Sequence, residues 1–513
     1  MSIFDKIMVR KPKYSTFDLS HEKKLSMKMG KLVPTMLQEV LPGDRFKVDS
    51  TIMMRLAPML APIMHRVNVY THYFFVPNRI IWDGFEDFVT GGDDGLTAPN
   101  VQPEIIIRKN GYFEKGSLSD YFGVPVIESA VTPSGGFGIS QLPFRAYQTI
   151  YNEYYRDENL SSEIVVPKDS ATVDTGNPAY DALLALRNRA WEKDYLTSCL
   201  PWAQKSQTEV DMPLNINYKQ PAEGKQADGS PAVSGNANFL GSGLLGDNSS
   251  NQIRLENIDN ASFTINEFRK ANRLQQWLER NARGGSRYIE HLFAHFGVKS
   301  SDARLQRPEY LGGGKQKITL SEVLNTNGIV ADGAGGVTGG NVQGEMAGHG
   351  ISVGNTNKFS RRFEEHGFVV GITSVIPRTA YQQSLHKLWR RTSRFDYYYP
   401  EFANLGEQEV KNSEAFLNYA DLSQAGNTFG YQSRFAEYKY GCDTVHGDFR
   451  DNLKFWHMGR IFGSAPALNS SFVESDPDTN RIFAVKDVDH LYVNIYHNVK
   501  AVRPMPYYGS PML

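Results

Sequence analysis

The sequence predicts a mainly β protein in which a sheet core holds long insertions. Three strand candidates support this prediction, at residues 63–76, 368–376 and 491–502, and hundreds of residues separate the first from the other two. A strand must pair, because otherwise its backbone N–H and C=O groups lack hydrogen bonds. If the candidates share one sheet system, the residues between them are insertions. This architecture suits a protein that builds contact surfaces better than one that builds a pocket for chemistry.

The strand candidates have the two-residue period of half-buried strands. An earlier run from Lys47 also alternates, and Pro58 and Pro62 interrupt it, as they would at a bend or a sheet edge. Each run places one set of residues on one face: Val48, Ser50, Ile52, Met54 and Leu56; Val67, Val69, Thr71, Tyr73 and Phe75; Phe368, Val370, Ile372, Ser374 and Ile376; and Leu491, Val493, Ile495, His497 and Val499.

The rest of the chain divides into an arm and insertions. Residues 1–20 have little apolar pattern and are predicted to form a basic N-terminal arm, followed by a single domain over residues 21–513. Within that domain we expect insertions at about 82–195, at 206–262 as an exposed surface loop, at 263–311 as a helical segment, and at 312–354 as a glycine-rich loop.

Helices are expected inside the insertions. Residues 144–155 form an aromatic helix candidate, and Asn177-Pro178 is typical of a helix start, with Asn as N-cap and Pro at the first helical position. Residues 264–267 have the form of a capping box, and Gly284-Gly285 would end the helix that follows.

The composition narrows the class of protein. Hydrophobic residues make up 40% and charged residues 22%, which permits a large core. The formal net charge of −1 gives no global attraction to nucleic acid or anionic lipid. Cys199 and Cys442 are the only cysteines, which favours folding in a reducing cytoplasm over a disulfide framework. We find neither a membrane-spanning apolar run nor a secretory signal, and expect a soluble protein without membrane insertion.

The sequence contains weak candidates for metal and phosphate sites. His291 and His295 have the spacing of metal ligands, but Leu292 stands where a metalloprotease needs Glu, so ordinary histidines are favoured. Residues 312–315 resemble a phosphate-binding loop, but Gln316 replaces the required Ser or Thr. We therefore predict no metal ligand and no cofactor.

Catalytic candidates are equally weak. Glu153, Asp157 and Glu158 could supply paired carboxylates, although neighbours on one helix are more often an ion-paired face. Cys199 lacks the local signature of a nucleophile. We predict no catalytic residue and no enzyme. The alternative is a carbohydrate-binding or carbohydrate-cleaving β-sandwich protein, which would use the Tyr-rich residues 147–155 and these carboxylates.

Basic residues cluster in three places. Two clusters, favoured as solvated or subunit-facing surfaces, are Arg280, Arg283 and Arg287, and Lys387, Arg390, Arg391 and Arg394 with the aromatic Trp389 and Phe395 between them. The third cluster lies in the arm, where a flexible basic segment can follow a phosphate backbone. The candidate nucleic-acid contacts are therefore Lys6, Arg10, Lys11 and Lys13.

Long segments resemble one known family. These are FDLSHEKKLSMKMGKLVPTMLQEVLPGDRF at 17–46, VYTHYFFVPNRIIW at 69–82, LPFRAYQTIYNEYYRDENL at 142–160, DYLTSCLPWAQK at 194–205, ARGGSRYIEHLFAHFGVKSSDARLQRPEYLGG at 282–313, EHGFVVGITSVIPRTAYQQSLHKLWRR at 365–391, SRFAEYKY at 433–440 and KAVRPMPYY at 500–508. In this order they resemble the major capsid protein of Microviridae, particularly gokushovirus-type phages, over nearly the whole chain.

The resemblance implies a fold and a function. The fold would be an eight-stranded antiparallel jelly-roll β-sandwich with long, partly helical insertion loops. The protein would self-assemble in a bacterial host cytoplasm into the smallest class of icosahedral shell (T=1), around circular single-stranded DNA. Its variable surface loop, mapped onto residues 206–262, would form protrusions at the three-fold axes. A DNA pilot protein and a host surface receptor are further implied partners.

Charge adds one more expected partner. A shell of subunits each with a net charge of −1 cannot neutralise a packaged genome in bulk, and the few arm cations would cover a minor fraction of the phosphates. We therefore predict a small basic internal protein, or polyamines, inside the particle.

Overall fold

The computed structural model describes residues 13–91, 101–128, 136–205, 265–284, 287–297, 299, 301–324, 346–355 and 358–508. The chain divides into two units, one comprising Met1–Ala203 and Ser286–Leu513 and the other comprising Gln204–Gly285. Among the described residues, all strands belong to the first unit, and one helix belongs to the second.

The strands in chain order are β1 (Ser15–Asp18), β2 (His21–Met27), β3 (Val33–Val40), β4 (Arg45–Leu56), β5 (Val67–Pro77), β6 (Glu104–Ile106), β7 (Gly138–Ser140), β8 (Glu309–Lys317), β9 (Thr319–Leu324), β10 (Met346–Asn355), β11 (Phe359–Arg362), β12 (Gly367–Pro377), β13 (Gln408–Lys411), β14 (Thr428–Gln432) and β15 (Leu491–Arg503).

The helices are α1 (Asn78–Ile81), α2 (Phe85–Thr90), α3 (Leu118–Phe122), α4 (Leu142–Ile150), α5 (Pro178–Leu184), α6 (Ile265–Gly284), α7 (Tyr288–Phe296), α8 (Asn412–Ala415) and α9 (Ser470–Val473). A π-helical turn, Tyr151–Tyr155, continues α4. Short 3-10 turns lie at Lys387–Arg390, Arg394–Asp396, Pro400–Phe402, Ala436–Tyr438, Gly447–Arg450 and Lys454–Trp456.

The two larger sheets have the strand order of a jelly roll. Sheet 1 runs β2–β15–β4–β10; β1 continues the β2 position along β15, β11 continues the β10 position along β4, and β9 pairs outside β10. Sheet 2 runs β3–β12–β5–β8, and the pairings in both sheets are antiparallel. The described strands thus fill the eight principal positions of a jelly roll, four in each sheet, and β9 adds a fifth position at the edge of sheet 1. This confirms the predicted mainly β jelly-roll sandwich.

Alternation explains how sheet 1 buries one face. In β15 the residues predicted to share a face, from Leu491 to Val499 at every second position, are buried, and the residues between them are intermediate or exposed. β4 alternates in the same way and pairs with β15 from Leu56↔Leu491 to Arg45↔Val502. The buried side chains of both strands pack into the space between the two sheets, as the sequence predicts.

The central strands of sheet 2, β5 and β12, are buried on both faces. In β5, Tyr73 and Phe75 pack towards sheet 1, whereas Phe74 and Val76 pack against the first insertion. The aromatic helix predicted at residues 144–155 is confirmed as α4 with its π-helical turn, and α4 contributes Phe144 and other buried residues to this second core. The face of β5 that points away from sheet 1 is therefore covered, because the insertion folds back over the sheet.

Two predicted helix starts can be compared with the structure. Asn177 caps α5, since its side-chain oxygen accepts a hydrogen bond from the Ala179 N–H at 3.0 Å. In the second unit, α6 begins at Ile265 and ends at Gly284, where the glycine pair predicts the end. Thr264, the first residue of the expected capping box, lies outside the described residues.

Two predicted boundaries were wrong. The arm was expected to reach residue 20, but Ser15–Asp18 is strand β1 and pairs with the far end of β15. The glycine-rich segment 312–354 was expected to be a loop, but parts of it form β8, β9 and β10. A Cβ at Gly313 would overlap the Thr71 carbonyl oxygen of β5, so glycine is needed for this close pairing of β5 and β8.

One insertion was not foreseen. This insertion, residues 378–490, lies between β12 and β15. It contains the short sheet β13–β14, two short helices and the 3-10 turns found among the described residues. Its own apolar cluster includes Tyr381, Val410 and Phe429. Long insertions therefore follow both β5 and β12, at different positions of the jelly roll.

Candidate assembly and nucleic-acid surfaces

The predicted nucleic-acid arm lies mostly outside the described residues. Lys6, Arg10 and Lys11 belong to residues 1–12, which the structure does not describe. Lys13 is described and exposed, two residues before β1. The arm therefore meets the folded protein at the edge of sheet 1.

The paired carboxylates of the first insertion are neutralised by neighbouring cations. Asp157 Oδ2 lies 2.9 Å from Lys193 Nζ, and Glu158 Oε1 lies 2.9 Å from Arg287 Nε. Glu153 Oε2 lies 3.5 Å from Arg307 Nη1. Burial raises the pKa of Glu158 and the charge of Arg287 opposes that rise. The three side chains form structural ion pairs, as the sequence favours.

The tyrosines beside these carboxylates anchor the insertion to the sheets. The Tyr147 hydroxyl donates to the Leu32 carbonyl at 2.8 Å, and the Tyr154 hydroxyl donates to the Pro308 carbonyl at 2.5 Å. The Tyr155 hydroxyl lies 2.8 Å from His72 Nδ1, and burial lowers the pKa of His72 to about 4. Since these rings are occupied in packing, they do not form the sugar-binding platform that the alternative function needs.

The remaining chemical candidates have structural roles. Residues 312–315 lie in strand β8, and Lys315 Nζ binds Glu192 Oε1 at 2.7 Å, so they form no phosphate loop. The described residues contain no group of three or more His, Cys, Asp or Glu side chains suited to a metal ion. Cys199 and Cys442 are free thiols, and burial raises the pKa of both. None of the helices described is long and apolar enough to cross a bilayer.

The two other basic clusters are largely engaged within the chain. Arg390 Nη1 donates to Ser413 Oγ at 3.1 Å, and the Arg391 guanidinium lies 4.4 Å from the Tyr438 ring centroid. In the other cluster, Arg287 forms an ion pair with Glu158 and also donates to the Arg156 carbonyl. These contacts within the chain favour a structural role for the two clusters over binding to a phosphate backbone.

An exposed group of aromatic residues lies in the insertion between β12 and β15. This aromatic surface consists of Trp389, Tyr397, Tyr398, Tyr399, Tyr419, Tyr438 and Tyr440, and exposed Leu388 precedes Trp389. Trp389 is 74% exposed and Tyr419 is 83% exposed. Trp389 and Tyr419 also line a pocket of about 590 Å³. Sequence reasoning missed this surface, although the run of three tyrosines at 397–399 could have indicated it.

These observations define a structural class. An eight-position jelly roll with long insertions, ion-paired acids and an exposed aromatic surface is suited to forming contacts between copies rather than to catalysis. The sequence matches the family described as "Capsid protein (F protein)" over residues 7–513, and the chain belongs to that family.

Three similar proteins align with nearly the whole chain. It is 33% identical to "Capsid protein VP1" of Chlamydia phage 1 over 584 aligned residues, covering 97% of this chain and 95% of the relative. It is 34% identical to "Capsid protein VP1" of Bdellovibrio phage phiMH2K, with coverages of 97% and 95%. It is 30% identical to "Capsid protein VP1" of Spiroplasma virus 4, again with coverages of 97% and 95%.

The family establishes the coarse function. The resemblance to the Microviridae major capsid protein is confirmed, and the chain is a structural major capsid protein located in the virion capsid, where copies self-assemble into a shell. Members of this family are structural proteins and not enzymes, so the prediction that the chain is not an enzyme is confirmed. The alternative of a carbohydrate-binding or carbohydrate-cleaving protein is not supported.

Proposed function

We propose that copies of this chain form a small icosahedral T=1 shell around the circular single-stranded DNA of a phage. The observation that supports this best is the jelly-roll strand order in a chain that matches the capsid family over residues 7–513. An icosahedral shell needs contacts that close into rings. Each contact can be modest, because many contacts form in one particle.

We assign the aromatic surface to contacts between copies. Its Trp and Tyr side chains have apolar rings with a polar end, the type of residue enriched at protein interfaces. Trp389 and Tyr419 are each more than two-thirds exposed in the isolated chain. Because the protein self-assembles, we propose that a second copy of the chain binds to this surface.

The test replaces the two most exposed rings of that surface. We expect Trp389→Ser with Tyr419→Ser to abolish particles in electron microscopy and to leave a folded subunit by circular dichroism. Val165, which is 81% exposed in the first insertion, supplies the matched control Val165→Ser. Particles formed in unchanged yield by the double variant would remove this surface from the assembly contacts.

We assign DNA contact to the arm cations Lys6, Arg10, Lys11 and Lys13. Their replacement by Ala should lower DNA retention and leave shell formation intact. Since each phosphate contact on single-stranded DNA adds about 0.7 to the slope of log K against log salt, the slope should flatten by about 3. The matched control replaces four exposed lysines outside the strands with Ala, namely Lys115, Lys168, Lys454 and Lys486. Unchanged retention would contradict the arm assignment.

The net charge of −1 per copy supports a separate source of cations. We assign this role to a small basic internal protein or to polyamines. We further expect two other partners, a DNA pilot protein and a host receptor outside the shell. Synthesis is expected in the bacterial host cytoplasm. Residues 206–262 are the segment we assign to protrusions at the three-fold axes. Shells assembled from this chain alone should lose genome-length DNA at physiological salt, and their retention of it would contradict the basic partner.

A further inference from the structure

The face of sheet 1 that points away from the core has a defined set of side chains. Because alternate residues of a strand point to opposite faces, the buried residues of β4 and β15 fix which residues point outwards. On β15 these include Tyr492, Tyr496 and Lys500, and on β4 they include Lys47 and Arg55. We call this set, with its neighbours on β1, β2, β10 and β11, the outer face of sheet 1.

The outer face has an excess of positive charge. It presents three carboxylates, Asp18, Glu22 and Asp49, against six exposed cations, namely Lys24, Arg45, Lys47, Arg55, Arg362 and Lys500. Two of the carboxylates already bind lysines, since Glu22 lies 2.9 Å from Lys24 and Asp49 lies 3.3 Å from Lys358. This local excess contrasts with the net charge of −1 for the whole chain.

Four of these cations lie opposite one another at one end of the face. The pairing register sets Arg362 of β11 opposite Arg45 of β4, and Lys47 of β4 opposite Lys500 of β15. Like charges directly opposite on neighbouring strands destabilise a sheet. Among the described residues, Arg45, Lys47 and Arg362 have no ion pair, whereas Lys500 lies opposite Asp18. We call these four residues the basic patch; an external anion would relieve their mutual repulsion.

Two tyrosines extend the basic patch along the central strand β15. Tyr492 is 47% exposed and Tyr496 is 43% exposed, and both point to the same side as Lys500. Tyr496 lies four positions after Tyr492, and Lys500 lies four positions after Tyr496, which is roughly 13 Å for each interval along the strand. Exposed aromatic rings beside cations are the combination that binds single-stranded nucleic acid, by stacking on bases while cations hold phosphates.

Sheet 2 offers no comparable surface among the described residues, because its central strands β5 and β12 are packed on both faces. The arm also begins here, since Lys13 precedes β1 at the edge of sheet 1. The exposed sheet face therefore carries the positive charge, and the basic arm joins the fold at the edge of the same sheet.

We propose that the outer face of sheet 1 binds the packaged single-stranded DNA. The basic patch binds phosphates, and Tyr492 and Tyr496 stack on two bases further along the strand. The proposal rests on the proposed function, and it adds a specific contact surface on the folded part of the subunit. It also orients the subunit, because a face that binds packaged DNA faces the interior of the shell.

The first test neutralises the basic patch in the full-length chain with its arm intact. The variant is Arg45→Gln, Lys47→Gln, Arg362→Gln and Lys500→Gln, and the matched control is Lys115→Gln, Lys168→Gln, Lys454→Gln and Lys486→Gln. The probe is a fluorescent 30-nucleotide oligo-dT, titrated by anisotropy at several salt concentrations. We expect the slope of log K against log salt to flatten by about 3, which at 0.15 M salt corresponds to roughly 200-fold weaker binding. The control should bind like the natural chain.

The second test separates stacking from charge. Tyr492→Leu with Tyr496→Leu should weaken oligo-dT binding by roughly tenfold or more with little change in salt slope, and Tyr492→Phe with Tyr496→Phe should retain binding. Equal binding by the Leu and Phe variants would overturn the stacking role.

Assembly is measured in parallel by sedimentation, so that the two ideas can fail separately. If the natural chain neither forms shells nor binds oligo-dT, the proposed function fails. If the natural chain binds oligo-dT and the basic-patch variant binds it equally well, the outer-face proposal fails alone. If the variant binds DNA normally but no longer assembles, the face contacts a second copy instead, and the proposal is again overturned.

Discussion

Acidification should destabilise the sandwich through His497, a fully buried histidine that links the two sheets. Its Nδ1 lies 2.8 Å from Ser50 Oγ, and its Nε2 lies 3.0 Å from the Thr35 carbonyl oxygen. The Tyr73 hydroxyl donates to Ser50 Oγ at 2.7 Å. A neutral ring satisfies all three contacts, if Nε2–H donates to Thr35 and Nδ1 accepts from Ser50. A protonated ring would leave the Ser50 hydroxyl hydrogen without that acceptor.

The expected loss follows from the pKa. Burial, together with the charge of His21, lowers the pKa of His497 from 6.5 to about 4. Because the folded pKa is the lower one, the unfolded chain binds more protons between these values, so stability present above pH 6.5 is lost as the pH falls towards 4. At pH 5 this linkage amounts to about 2 kcal/mol, and it levels off near 3 kcal/mol below pH 4.

The perturbation is His497→Gln, which keeps one donor and one acceptor but does not titrate. Urea denaturation of the unassembled chain at pH 7 and pH 5 should show a loss of unfolding free energy that is about 2 kcal/mol smaller in the variant than in the natural chain. His446→Gln, at an exposed position, controls for loss of a histidine. The reasoning is refuted if His497→Gln and the natural chain lose equal stability between the two pH values.

Two substitutions test the backbone and the second core by urea denaturation. Gly30 has a φ of +84°, and a Cβ there would overlap the Ser475 carbonyl oxygen. Gly30→Ala should therefore cost about 2–5 kcal/mol, whereas Gly123→Ala, at a φ of +92° with open space, should cost about 1–2 kcal/mol; equal losses would contradict the overlap. Arg145 is fully buried and donates to two backbone carbonyls and one side chain. Arg145→Met should cost about 3 kcal/mol or more, against about 0.5 for exposed Arg304→Met, and a small loss would mean that its acceptors find other partners.

The sequence predicts an element well when the element's own residues determine its pattern, as in a strand with one buried face or a helix with its own capping residue. β15 alternates as expected because its outward face meets solvent, and α5 begins where Asn177 and Pro178 predict. The predicted alternation of β5 holds for the side facing sheet 1. The burial of its other side was not predictable, since it depends on an insertion more than 60 residues away in the chain, around Phe144.

The glycine-rich segment shows why composition misled the prediction. Gly313 lies in β8 because β5 approaches too closely for a side chain, and this requirement is visible only when the two strands are paired. The insertion at residues 378–490 has short 3-10 turns and no sustained period, so no periodic signal marks it. Of the candidate surfaces, the DNA-binding arm remains a prediction. The aromatic surface as a whole could not be predicted from the sequence, because its residues are spread over positions 389–440 and only the fold brings them together.

The tolerance of this fold for insertions has a simple energetic basis. The connection between β5 and β8 spans roughly 230 residues, yet extending a loop from ten residues to that length costs only about 3 kcal/mol in closure entropy. The insertion offsets that cost by burying Phe74 and Val76 against its own core. Sheet 1, by contrast, is completed by pairing Ser15 with Arg503 and Leu56 with Leu491. A chain that ends before β15 would leave β2 and β4 without their shared partner, so the outer face of sheet 1 and its basic patch can form only once the last strand has been made.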